Sequence, residues 1–209
     1  MTTATLLAAC NELLLQVGEI EVTALLSPPA RKARLALQSS IRFVSQLHPW
    51  QHLQATLSPL SWVGGVATFA PLADVYQAFC NGYVISAAKA PSLLEKANVA
   101  PSVTGTPQYY AQWGDNSVLF YPTPSASDKL LTTIIALTTP TVPSLDTDSF
   151  TLPDEFYDAV MTYAQYLMHR NHTTDMQAAQ QSLSDFELRI HMLRSRQAGH
   201  SVTFMGMLT

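Results

Sequence analysis

Residues 176–193, MQAAQQSLSDFELRIHML, carry the pattern that decides the fold. Met176, Ala179, Leu183, Phe186, Ile190 and Leu193 step by three and four, so they form one narrow stripe on a helix. A stripe of that kind is stable only when another helix covers it. Arg189, Arg194 and Arg196 gather towards the C-terminal end, where cations complement the helix dipole. Gly199 reads as the stop, and His200 to Thr209 read as an apolar-rich tail. On the other side, Asn171 to Thr174 is a polar break with Thr174 as the candidate cap.

The partner helices lie at both ends of the chain. Leu152-Pro153-Asp154-Glu155 is a helix start, with proline in the first turn and two acids favouring the dipole. Val160, Tyr163, Ala164 and Leu167 mark its inner face. Near the N-terminus, Leu6, Leu7, Cys10, Leu13, Leu14 and Val17 repeat at helical spacing, and Gly18 ends the run. Ser27, as cap, and Pro28 open a further helix through Ala33, Leu37, Ile41 and Val44, which closes at His48-Pro49-Trp50. The first two helices form an antiparallel hairpin across a short link holding Glu19 and Glu21. Arg31, Lys32 and Arg34 oppose the dipole of the second helix. Pairing with Glu19 and Glu21 is the expectation for them, and contact with an acidic partner is the alternative.

Between these ends the pattern changes. Val, Thr, Tyr, Phe and Trp runs are broken by Gly and Pro, which signals short strands and turns. Gly64-Gly65 separates Leu60–Val63 from Val66–Phe69, and Gly114-Asp115-Asn116 separates Tyr109–Trp113 from Val118–Tyr121; both read as hairpins. Val75–Ser86 and Leu130–Leu137 are further strand regions, and Leu93–Ala97 reads as a short helical turn. The class is therefore α+β: a discontinuous helical bundle of residues 1–50 and 152–199, an inserted antiparallel β-rich domain of residues 51–151, and an extended tail of residues 200–209.

Composition narrows the function. Hydrophobic residues make up 47% and charged residues only 12%, about half the roughly 25% of an average soluble domain. Residues 47–151 hold 9 of the 26 charged side chains, so the β-rich part has few charges to discourage edge-to-edge pairing. A surface this neutral fits either a neutral-polar soluble monomer or a surface covered by neighbouring subunits. The net charge of −4 argues against a sequence-specific nucleic-acid binder. No run reaches the roughly 18 apolar residues of a membrane span, and the N-terminus lacks the basic region of a signal peptide.

No motif carries catalysis or a cofactor. His48 and His52 are interrupted by Pro49, and His169 and His172 stand at a helix end, so neither pair is read as a metal site. Cys10 and Cys80 are read as buried small hydrophobes in a reduced compartment. No phosphate-cradling glycine loop is present. Asp154, Glu155 and Asp158 are explained by a first helical turn. Trp50, Trp62, Trp113, Tyr109, Tyr110 and Tyr121 could make a sugar-binding platform, but core packing is the simpler reading.

Four stretches resemble one family. They are Asn11-Glu12-Leu13-Leu14-Leu15-Gln16-Val17-Gly18-Glu19; the second helix finishing at Trp50; Gly105-Thr106-Pro107-Gln108-Tyr109-Tyr110 followed by Leu119-Phe120-Tyr121-Pro122-Thr123-Pro124; and Leu152-Pro153-Asp154-Glu155-Phe156-Tyr157-Asp158-Ala159-Val160. In order and spacing they look like the tail tubular protein A of short-tailed phages, the adaptor or head-to-tail connector. The resemblance implies a non-enzymatic virion protein, assembled in the host cytoplasm and resident in the tail. It implies a dodecameric ring that joins the portal protein to the tail nozzle (tail tubular protein B), with genomic DNA passing through the lumen without specific binding, and no membrane partner.

The resemblance also implies that the C-terminal segment docks on the portal. Arg194, Arg196, Phe204, Met205, Met207 and Leu208 are the expected interface, and deleting residues 200–209 is expected to abolish portal binding with the helical circular dichroism unchanged. The competing readings are another head-completion or tail-terminator protein and, from a different class, a small hydrolase or glycan-binding module.

Overall fold

A computed structural model describes residues 1–57, 60–69, 74–89, 92, 103–114, 116–173 and 175–205, with the side chains of the last helix described as far as Gln197. The chain divides into two compact units, residues 1–52 with 140–209, and residues 53–139.

The first unit is the helical one. α1 (Leu6–Gln16) begins where the Thr5 hydroxyl accepts from the Ala8 N–H at 3.2 Å. It ends at Gly18, whose φ of +79° suits a residue without a Cβ, and the Glu19 N–H closes on the Leu14 carbonyl at 2.8 Å. The link beyond is tied back to α1. The Asn11 side-chain amide donates to the Val22 carbonyl and accepts from the Val22 N–H, both at 2.9 Å.

α2 (Pro28–Gln46) has Ser27 at its N-cap, but the serine hydroxyl makes no capping bond. Pro28 and Pro29 remove two of the N–H groups that a cap would satisfy. The expected pairing of Arg31, Lys32 and Arg34 with Glu19 and Glu21 does not form: no ion pair joins them among the described residues. The short link, held by Asn11, keeps both glutamates in solvent.

α4 (Asp154–Met168) packs against α2 and against α5 (Met176–Met205). Pro153 is the N-cap of α4 rather than a first-turn residue. One π-helical turn, His169–Thr173, joins α4 to α5. Thr174 lies outside the described residues; the cap is Asp175, whose carboxylate accepts from the Ala178 N–H at 3.0 Å. Ala179, Phe186 and Ile190 of the stripe are buried, whereas Met176 is exposed on the first turn. Phe43, Tyr163 and Phe186 bring α2, α4 and α5 together, with Phe43 and Tyr163 stacked at 4.4 Å and Tyr163 and Phe186 at 4.8 Å. Such ring pairs contribute about 0.5–1.5 kcal/mol each beyond their buried area.

α5 does not stop at Gly199, since it continues to Met205. A glycine inside a helix costs only about 1 kcal/mol relative to alanine, which the rest of a long helix overrides. Residues 200–205 are therefore helical, and Met207 and Leu208 lie outside the described residues. This unit also has a small ladder that the helical reading passes over. β1 (Thr2–Thr5) runs antiparallel to β10 (Ser149–Leu152), with Thr2 opposite Leu152.

The second unit is a sheet in the order β2-β9-β5-β6-β7-β8-β4-β3. Its strands are β2 (Gln54–Leu57), β3 (Ser61–Val63), β4 (Val66–Thr68), β5 (Val75–Cys80), β6 (Tyr83–Ala87), β7 (Tyr109–Gln112), β8 (Ser117–Tyr121) and β9 (Thr132–Leu137). Gly64-Gly65 makes the β3–β4 turn, as its spacing predicts, and β7 pairs with β8 around Gly114. The stretch Val75–Ser86 is two strands. Asn81 (φ 49°) and Gly82 (φ 79°) turn it back on itself in a tight hairpin.

Among the described strands the pairing is antiparallel except between β6 and β7, which pair in parallel through Ser86 and Ala87. Leu130 and Leu131 belong to α3 (Ala126–Leu131), capped by the Ser125 hydroxyl, rather than to β9. Ala67, Ala78, Cys80, Ile85, Tyr110, Val118, Phe120 and Ile134 make the core of this unit. Leu93–Ala97 lies outside the described residues.

Candidate assembly interface

Of the expected interface residues, Arg194, Arg196, Phe204 and Met205 lie on the C-terminal part of α5. Arg194 donates to the Leu47 carbonyl at 2.7 Å, satisfying an acceptor just past the C-terminal end of α2. Arg196 forms an ion pair with Glu155 in the first turn of α4. Both arginines remain exposed on the surface of the helical unit. Phe204 and Met205 fall within the helical backbone of α5, and their side chains are outside the described residues, as are Met207 and Leu208.

Arg196 stands at the rim of a groove of about 600 Å³ in the same unit. Trp50, His52 and Phe156 form its aromatic side, Leu193 and Pro153 add apolar surface, and Glu155 completes the rim. Trp50 is fully buried, donates its Nε1–H to the Val44 carbonyl at 2.6 Å, and meets Phe156 edge-on at 5.6 Å. His52 lies edge-on to Phe156 at 4.3 Å, with a buried Nε2 that has no hydrogen-bond partner. Burial holds His52 below the usual histidine range, so the neutral ring is favoured. His48 is also lowered, by burial and then by the charge of Arg194. A groove of this make-up accepts an apolar group and offers one ion pair at its edge.

The sequence did not announce the groove. The signal was present in Trp50 and Phe156, but only the folded chain brings residues so far apart in sequence together.

The other candidate groups are dispersed. Trp50 belongs to the helical unit, and Trp62, Trp113, Tyr109, Tyr110 and Tyr121 to the β unit. Trp62 packs against Phe120 at 5.4 Å and Tyr110 is buried, while Trp113 is exposed. His169 Nδ1 lies 3.3 Å from the Thr173 hydroxyl. Burial pushes the Cys10 thiol up to about 12, against a smaller opposing effect of Arg34, with Asp146 adding to the rise. The Cys80 thiol is also raised, mainly by burial. Thiols held protonated in this way are poor nucleophiles. Among the described residues, no group of three or more His, Cys, Asp or Glu side chains is placed to hold a metal ion, and no helix is long and apolar enough to cross a membrane.

No curated protein matches the chain. A family model described as SU10 adaptor protein matches residues 1–205, spanning the helical bundle and the β unit alike. The chain therefore belongs to the SU10 adaptor protein family and is a phage structural adaptor protein.

Proposed function

We propose that the chain forms a ring in the phage tail that joins the portal protein to the tail nozzle and surrounds part of the DNA ejection channel. The dodecameric stoichiometry and the nozzle partner come from the resemblance to tail tubular protein A. The match to an adaptor family over residues 1–205 carries the reading. The surface supports it. Leu26 is 92% exposed and Leu130 87% exposed, on a chain with only 12% charged residues. A surface with so few charges is weakly protected against association with other proteins.

The portal-facing contact in this reading is made by Arg194, Arg196, Phe204 and Met205 of α5 and by Met207 and Leu208, which follow it in sequence. Because residues 200–205 are helical, deleting the last ten residues would also shorten α5, so substitution is the cleaner test. Full-length chain with Phe204, Met205, Met207 and Leu208 all changed to Ser is expected to lose capture by the immobilised portal protein while keeping its helical circular dichroism. Capture at wild-type level would remove this end of α5 from the portal contact.

A further inference from the structure

Charge is sorted by helix in the first hairpin. Residues 1–30 contain Glu12, Glu19 and Glu21 and no lysine or arginine; α2 contains Arg31, Lys32, Arg34 and Arg42 and no acid. On α2, Arg31, Leu35, Ser39, Arg42 and Gln46 recur at helical spacing, and all are exposed. This outer stripe is basic, with one apolar residue, Leu35, 52% exposed in its middle. On α1 and its link, Glu12, Leu15, Glu19, Ile20 and Glu21 are all exposed. That surface is acidic and has its own apolar residues, Leu15 and Ile20.

Apart from Glu12, which accepts from the Tyr157 hydroxyl at 2.7 Å, and half-buried Arg34, these charges are not spent inside the molecule. Among the described residues, no ion pair engages Arg31, Lys32, Arg42, Glu19 or Glu21. Nor is the link free to fold over and neutralise α2, because Asn11 holds Val22 by two hydrogen bonds. The field near the start of α2 is felt nearby: His172 is held below the usual histidine range by burial and then by Lys32.

We infer that the basic outer face of α2 in one copy docks on the acidic α1-and-link face of a second copy. The occupant follows from complementarity of two kinds. The two surfaces carry opposite charge, and each places exposed leucine or isoleucine among its charges. A polyphosphate partner would leave Leu35 facing phosphates, and an unrelated acidic protein would leave the α1 face without a role. The contacting surfaces differ, so the contact is head-to-tail. Repeated contacts of that type close into rings or run on as filaments. The inference rests on the ring reading above and assigns its contact between subunits.

Charge reversal tests it without the portal. One full-length variant carries Glu19→Lys and Glu21→Lys, and a second carries Arg31→Glu, Lys32→Glu and Arg42→Glu. Wild type should associate in sedimentation velocity at low salt and dissociate at about 1 M salt, where screening acts within about 3 Å. Each variant alone should associate at least about tenfold more weakly, because like charges now face each other. An equimolar mixture should recover association, since each variant supplies the face the other lacks. Matching circular dichroism spectra keep a folding defect from imitating the result.

A wild type that stays monomeric at low salt, or a mixture that fails to recover, overturns the contact. If the Arg31→Glu, Lys32→Glu, Arg42→Glu variant keeps wild-type self-association but loses binding to duplex DNA, the basic face belongs to nucleic acid instead. Portal capture is read in a separate assay. Its failure with self-association intact would break the portal reading and leave this contact standing.

Discussion

The helical unit and the β unit are stabilised in different ways. In the first, rings from three helices and the segment just after α2 pack in two groups: partly exposed Phe43 and half-buried Tyr163 on buried Phe186, and buried Trp50 on buried Phe156. In the second, one ring group of Trp62, Phe120 and Tyr110 packs with small residues such as Ala67 and Ala78, and backbone ladders bring the strands together. Large side chains concentrate stability in a few positions. A ladder distributes it and depends on turns that set the register. The comparison teaches that the bundle is sensitive to what fills it and the sheet to how its chain reverses.

The sharpest way to break that contrast is Trp50→Ala. Trp50 is fully buried and its indole N–H is bonded, so truncation should cost about 3–5 kcal/mol. Urea unfolding followed by far-ultraviolet circular dichroism should show the helical signal lost at much lower denaturant. A loss under about 1 kcal/mol would mean that the aromatic interior is not what holds the helices.

Gly82→Ala probes the other side. At φ +79° a Cβ strains the backbone by about 1–2 kcal/mol. No atom crowds the site, so strain alone acts. Amide hydrogen exchange should speed up in β5 and β6 and stay unchanged in α4. Equal acceleration in both would show that the units do not unfold separately.

The smallest effect concerns pH. His48 and His52 have folded values below the ordinary one of 6.5. Their contribution to stability is therefore complete above that value and is lost as pH falls through the lowered folded values. The bundle's unfolding midpoint should fall from pH 7 to pH 5, and His52→Gln should flatten the fall. An unchanged slope in the variant would assign the acid sensitivity elsewhere.

Much of this contrast was legible in the sequence, for reasons that also explain what was not. Ala179, Phe186 and Ile190 announced the inner face of α5 because helical spacing and burial are local properties. Gly64-Gly65 announced a hairpin because a tight turn needs those residues. The β1–β10 ladder was hidden, since Thr2–Thr5 carries no apolar alternation and its partner begins at Ser149. The parallel pairing of β6 with β7 was hidden because the pattern within each strand does not say which strand will be its neighbour. α3 escaped because none of its residues is buried. Gly18 and Gly199 look alike as letters, yet only the first ends its helix. At the candidate interface, Arg194 and Arg196 were visible as cations expected at a helix end, although α5 runs on past them to Met205. Their partners, the Leu47 carbonyl and Glu155, were not visible, because both contacts cross most of the sequence or join different helices.

The β unit begins and ends at one bonded place. The Thr138 N–H and hydroxyl both donate to the Leu53 carbonyl, at 2.7 and 2.9 Å, and β2 runs beside β9 from there. The insertion thus behaves as a cassette on a clasp. Sequence inside the β2–β9 ladder can lengthen, shrink or be exchanged while the span from Leu53 to Thr138 stays the same.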